Sequence, residues 1–268
     1  MKIGAQNVRA SAISTSSAAT ILVRGRDLCA ELVGHIGFTD HFWLLLTGEL
    51  PSDAQRRILD ATLVAIAEHG LVPSVQASRI TYAAAPEALQ GAVAAGILGC
   101  GSVVLGSSEG AGRFLAGIVR RREGSSLDAA AHAVTTECKE AGRAIPGYGH
   151  PLHKAGDPRA HRLLEIAREL QVAGPHVEAA LAVERAIAEV IRKPLVLNVS
   201  GAIPAVLLDA GYPLAALKGI PILARTASLI AHLLEEHERG IGFVLTHAGS
   251  QAIEYDGPLP PGFQQDPK

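Results

Sequence analysis

Along most of the chain, apolar residues recur every three or four positions, the spacing of a helix that buries one face. Leu59, Leu63 and Ile66 mark such a face in "DAQRRILDATLVAIAEH" (53–69), which Ser52 opens and Gly70 closes. Thr39 is placed to cap "DHFWLLLT" (40–47), and Gly48 to stop it. A helix of very small residues is expected from Pro86 through Val104. Two more, 111–123 and 127–143, are separated by Gly124, Ser125 and Ser126. Pro158 suits the first helical position, and Leu163, Ile166 and Leu170 continue the pattern behind it. Pro175 opens a helix to 193, "IPAVLLDAG" (203–211) carries the next apolar pattern, and a long helix over 219–239 ends at Gly240. Only "PLVLNVS" (194–200) reads as a strand, and it is short and isolated. The Pro/Gly/Gln-rich segment from Pro258 reads as a loosely held tail. The expected fold class is all-α.

Composition narrows the picture. Hydrophobic residues make up 48% of the 268 and charged residues 19%, which supports a large buried core and excludes global disorder. A net charge of -2 with no long basic run argues against nucleic acid or an anionic membrane as the main partner. Cys29, Cys100 and Cys138 have no CxxC spacing, so they read as buried thiols of a reducing compartment, and a cytoplasmic protein is expected. The longest apolar run, 91–106, is short of the ~20 residues a spanning helix needs. No metal-ligand spacing is visible.

The richest chemistry lies in "IPGYGHPLHKAGDPRAH" (145–161). Gly147 and Gly149 free the backbone for unusual dihedrals beside His150. Asp157 can cap the helix that begins at Pro158, and Arg159 then lies in its first turn, where free N–H groups favour an anion. The guanidinium fork adds a match for a carboxylate. The loop can therefore hold a carboxylate next to a histidine able to exchange a proton. A helix-capping loop with surface histidines is the plainer alternative.

"GYGHPLHKAGDPRA" (147–160) resembles the G-x-G-H…D-P-R-x signature of the citrate synthase superfamily. Four other segments match in order. "ILVRGRDLCAEL" (21–32) is similar to its R-G-x-D-L segment, and "AEHG" (67–70) to the A-D-H-G of the citryl-CoA lyase branch. "PLVLNVSG" (194–201) is similar to L-N-V-D-G, and "GIPILARTASLIAH" (219–232) to G-x-x-x-x-G-R-S-x-G-x-I-A/G-H. The likeness is greatest to the compact citryl-CoA lyase module, also present in ATP-citrate lyase. It implies a large helical domain (1–108 and 206–268), a smaller one (109–205), an active site in the cleft between them, and a homodimer. Because the likeness begins near the N-terminus, the Ser/Ala-rich, acid-free stretch before Asp27 is read as part of the fold rather than as a transit peptide.

The resemblance also assigns roles. His150 matches the histidine that hydrogen-bonds the oxaloacetate carbonyl, Arg159 and Arg225 match carboxylate-binding arginines, and His69 matches another dicarboxylate contact. A histidine ending a helix before glycine is also a common C-cap, the plainer reading of His69. Lys154 stands where a basic residue meets coenzyme A phosphates. The implied substrates are a small carboxylate and a coenzyme A thioester, with no permanently bound cofactor.

Three departures stand out. Ser200 replaces the catalytic aspartate of L-N-V-D-G, and a serine has no pKa suited to moving a proton near neutrality. The histidine of G-x-x-H-G-G-A is replaced by Glu109 or Ser108 within "LGSSEGAG" (105–112). Glu109 is a candidate replacement base if burial raises its pKa, or simply an acid favoured at a helix start. A third carboxylate arginine has no counterpart, with Thr246 and His247 in its region. The expected activity is citryl-CoA cleavage or formation. Citrate or 2-methylcitrate synthesis and a catalytically silent binding subunit are the alternatives.

Overall fold

The computed structural model describes residues 10–101, 103, 107–122, 126–149 and 154–263. A three-stranded antiparallel meander opens the chain: β1 (Ser14–Ser16), β2 (Ile21–Val23) and β3 (Arg26–Asp27). Besides a π-helical turn at Leu28–Leu32, whose Cys29 is exposed rather than buried as expected, and a 3-10 turn at Leu214–Ala216, eleven α-helices follow among the described residues. They are α1 (Phe38–Thr47), α2 (Asp53–Ala67), α3 (Pro73–Ala84), α4 (Leu89–Leu98), α5 (Ser107–Arg121), α6 (Leu127–Glu140), α7 (Pro158–Glu169), α8 (Pro175–Val190), α9 (Val199–Asp209), α10 (Gly219–Glu238) and α11 (Gly242–Ala252). The all-α class is correct, with the small meander as an addition.

The chain forms two compact units. One comprises residues up to Thr62 together with Ser108–Lys218, the other Leu63–Ser107 together with the chain from Gly219. This grouping places the N-terminal 62 residues with 108–218, whereas the sequence reading placed them with 206–268.

In the first unit α8 packs on α6 and α9, and α9 on α7, around Leu163, Ile187, Ile203 and Leu207. Val23, Leu32 and Leu44 form a separate cluster that seats the meander on α1. In the second unit α3 packs against α4, α10 and α11. Gly96 of α4 permits the close approach there, since a Cβ would lie 2.6 Å from Leu229 and 2.8 Å from the Ser74 carbonyl.

Several boundaries differ from those expected. α1 is capped by Gly37, whose N–H is accepted by Asp40, while the Thr39 hydroxyl bonds Asp60 instead. α2 does begin with a reciprocal cap, Ser52 and Gln55 bonding each other's backbone N–H. The small-residue helix spans only 89–98, and α5 starts four residues before 111. Residues 194–198 form no strand beyond a single bridge, Tyr148 with Leu197, and Asn198 then caps α9. α3 and α11 are additional helices. α3 hides from pattern analysis because it buries Ser74, Ser78 and Arg79, inverting the usual polarity.

Residues 214–238 are long and apolar enough to cross a membrane by length and composition. In the fold, Ile220, Leu229 and Leu233 of this segment are buried, α10 packs on α3 and α4, and the buried Glu236 pairs with Arg79. One face of the helix thus packs inside the fold, while Ile230 and Leu234 stay exposed.

Candidate active site

The first unit gathers part of the expected chemistry around one carboxylate. The loop before α7 turns back on the start of α9. Gly147 (φ +88°) lies so close to Gly201 that a Cβ would sit 2.6 Å from its Cα, and Gly149 (φ +81°) donates to the Val196 carbonyl. The required glycines are therefore those flanking position 148, as expected. Asn198 locks the contact: its N–H bonds the Gly147 carbonyl at 2.9 Å and its Nδ2 the Gly149 carbonyl at 2.6 Å.

Asp157 is fully buried and caps α7, and it does more than cap. Its Oδ1 accepts from the Arg159 N–H at 3.1 Å and from Nε at 3.0 Å. Its Oδ2 accepts from the second guanidinium nitrogen and from the Val199 N–H, both at 2.9 Å. Burial pushes this carboxyl up, but the Arg159 guanidinium and the Val199 N–H outweigh it and bring the pKa to about 2. One permanently ionised side chain thus fixes the Arg159 fork and the first turn of α9, where Ser200 follows Val199. Arg159 remains partly exposed, 21% by side chain, so its outer edge can meet a ligand. Lys154 is exposed three residues before Asp157. His150 lies outside the described residues.

Glu109 sits in the first turn of α5, 2.8 Å from Arg113 one helical turn on. The Arg113 hydrogen bond holds its carboxyl below the ordinary range against the opposing effect of desolvation, and the charges of Arg113 and Lys218 add to the lowering. The raised pKa that would suit a general base is not present. Ser108 beside it is fully buried, and among the described residues its hydroxyl has no hydrogen-bond partner.

His69 and Arg225 belong to the second unit. His69 is exposed on the turn after α2, where Gly70 takes φ +70°. Arg225 is 2% exposed on α10 and donates to the Ile66 carbonyl at the end of α2 and to Ser228, both at 3.4 Å. A cation at a helix C-terminus is favourable. Glu68 approaches the Arg225 guanidinium at 3.9 Å and His232 at 2.9 Å. Sequence reasoning passed over Glu68 and His232. The available signal was the spacing of Arg225, Ser228 and His232, which at i, i+3 and i+7 share one helix face.

The described residues hold no cluster suited to a metal ion.

Comparison with known proteins bears on the family and the fold. The family described as citrate synthase, C-terminal domain, matches residues 53–242. Among solved structures, citryl-CoA lyase from Hydrogenobacter thermophilus is 34% identical, with 96% of this chain and 98% of that chain covered and a TM-score of 0.85. ATP citrate lyase of Methanosaeta concilii, solved as a variant with (3S)-citryl-CoA, is 24% identical over 93% of this chain and 42% of that one, TM-score 0.74. It shares the fold. Citrate/2-methylcitrate synthase of Bacillus subtilis is 28% identical over 206 residues, 75% of this chain and 53% of that protein. The chain thus spans about half the length of such synthase relatives.

Proposed function

Because the chain belongs to the citrate synthase family, we propose that it is a citryl-CoA lyase-type enzyme. It would break or make the bond between the methyl carbon of a coenzyme A thioester and the carbonyl carbon of a 2-oxo acid such as oxaloacetate. The observation that carries this reading is the Arg159 fork, locked by an always-ionised Asp157 with one edge left outward. An arginine so fixed in a helix's first turn is preorganised for a substrate carboxylate. Similarity to a citryl-CoA lyase over nearly the full length of both chains supports the same choice.

In the cleavage direction, a base removes the proton of the tertiary hydroxyl. The electron pair forms the 2-oxo acid carbonyl as the carbon–carbon bond breaks, leaving the enolate of the thioester, which takes a proton at carbon. Arg159 and Arg225 hold carboxylates, with His69 as a further contact, and His150 polarises the oxygen that becomes the carbonyl. Lys154 is placed to meet coenzyme A phosphates. Condensation asks for more, because a weakly acidic C–H must first be deprotonated. Ser200 cannot do this near neutrality, and the ionised, arginine-paired Glu109 is a weak base.

That same deficit is the specific observation favouring a second reading, a binding subunit that kept the fold without the chemistry. Synthesis of citrate or 2-methylcitrate is disfavoured by it, although a synthase of that kind is among the relatives. Exchange of acetyl-CoA methyl protons with deuterated solvent, measured beside citryl-CoA cleavage, separates these. Cleavage with slow exchange, increased by Ser200→Asp, is expected. Fast wild-type exchange abolished by Glu109→Gln would overturn the assignment of the deficit, and absence of cleavage would favour the binding subunit.

We also propose that the chain works as a homodimer in the cytoplasm. Its second unit exposes Leu98, Ile230, Leu234, Phe243 and Val244 on α4, α10 and α11, apolar area of the kind that marks an interface.

A further inference from the structure

Glu68 and His232 have no part in the chemistry above, yet they touch two of its carboxylate-binding residues. Glu68 is the first residue past the end of α2. Its Oε1 accepts from the His69 N–H at 2.9 Å and from the Gly70 N–H at 2.5 Å, which fixes the turn that carries His69. Its Oε2 meets Nε2 of His232 at 2.9 Å and faces the Arg225 guanidinium at 3.9 Å. Burial pushes the Glu68 carboxyl up, but the Gly70 N–H and His232 prevail and hold it below the ordinary carboxylate range, so it is ionised at neutral pH. His232 is 15% exposed by side chain and sits two helical turns beyond Arg225 on the same face of α10. An open depression of about 570 Å³, lined by Glu68, Ser228, His232, Glu235 and Arg239 among others, lies over the pair.

We propose that Glu68 and His232 are positioning residues that brace the His69 turn against α10 and set the Arg225 guanidinium for a substrate carboxylate. Each side chain supplies what the other lacks. Glu68 is half exposed and attached to a turn, so by itself it would wander. His232 grows from a packed helix and gives it a fixed point. The carboxylate so anchored accepts the backbone of the His69 turn on one oxygen and faces Arg225 with the other. Without it, two N–H groups of the turn lose their shared acceptor, and the buried guanidinium loses a neighbouring negative charge. Small misplacements of binding groups carry large costs in affinity.

This inference rests on the reading of Arg225 and His69 as carboxylate contacts, and the test is arranged to separate the two. Citrate and coenzyme A are titrated calorimetrically into the full-length wild type, Glu68→Gln, His232→Gln and Arg225→Ala. Glutamine at position 68 keeps an acceptor for the turn and removes the charge. Glu68→Gln is expected to weaken citrate binding ~10-fold and His232→Gln ~5-fold, while coenzyme A affinity stays within about twofold, as fits a loss of alignment at one end of the ligand. Unchanged citrate affinity in both variants overturns the brace. So does an equal loss for citrate and coenzyme A accompanied by a lower Tm, the mark of a merely structural role. If the wild type binds no citrate, or if binding survives Arg225→Ala, the carboxylate site itself is refuted and the brace falls with it.

Discussion

Replacing Asp157 by asparagine is the sharpest perturbation of the first unit. The carboxylate is fully buried, and its four accepted hydrogen bonds tie the start of α7, the Arg159 fork and the first turn of α9 together. Asparagine keeps the shape but turns one acceptor atom into a donor, which then faces the guanidinium in either orientation, together with the Arg159 N–H in one and the Val199 N–H in the other. The fall of the carboxyl pKa from 3.8 to about 2 corresponds to ~2.4 kcal/mol of stabilisation at neutral pH. A buried donor left facing a donor adds to this, so Asp157→Asn is expected to cost about 3–4 kcal/mol at pH 7. The sign with pH follows from the depressed pKa. The stabilisation is complete above the unfolded-state value, near 4, and is lost as pH falls towards 2, with about half gone by pH 3. The difference between wild type and variant must therefore shrink on acidification. The sole tryptophan, Trp43, is buried in the same unit against Tyr212, and its fluorescence during urea unfolding gives the readout. A cost below about 1 kcal/mol at pH 7 would refute the reasoning, as would a difference that stays constant from pH 7 to pH 3.

Two further outcomes are expected. In the second unit Glu236 is buried, pairs with Arg79 at 2.6 Å and accepts the Ile241 and Gly242 N–H groups at the start of α11, so Glu236→Gln should cost about 3 kcal/mol and speed amide exchange across α11; unchanged exchange there would show that α11 is held by its apolar contacts alone. Light scattering at micromolar concentration should find a dimer, and a monodisperse species of about 28 kDa would remove the interface assigned to α4, α10 and α11.

What could be read from the sequence divides along a physical line. Helices with one apolar stripe and punctuating residues were legible: α7 and α8 begin at the expected prolines, and α10 runs almost as expected. α3 was not, because its buried face carries Ser78 and Arg79, whose partners on α4 and α10 lie far along the chain. The start of α9 was lost for a related reason. Residues 194–197 look like a strand because they form a short apolar run, but the single bridge from Tyr148 leaves no ladder to extend, and the Asn198 cap begins a helix instead. The site follows the same rule. Arg159 could be seen as an anion binder and Asp157 as a cap, since both properties depend on neighbours within two residues. That the same carboxylate also accepts from Val199 depends on a contact spanning 42 positions, which no local pattern encodes. Glu109 shows the opposite balance. Its suitability as a base required burial, a tertiary property, whereas the arginine four residues on that keeps it ionised was present in the sequence throughout. Proton-transfer competence is thus the part of this site least open to sequence reasoning: it depends on the field around a group, here set by Arg113 first, by desolvation against it, and by Lys218.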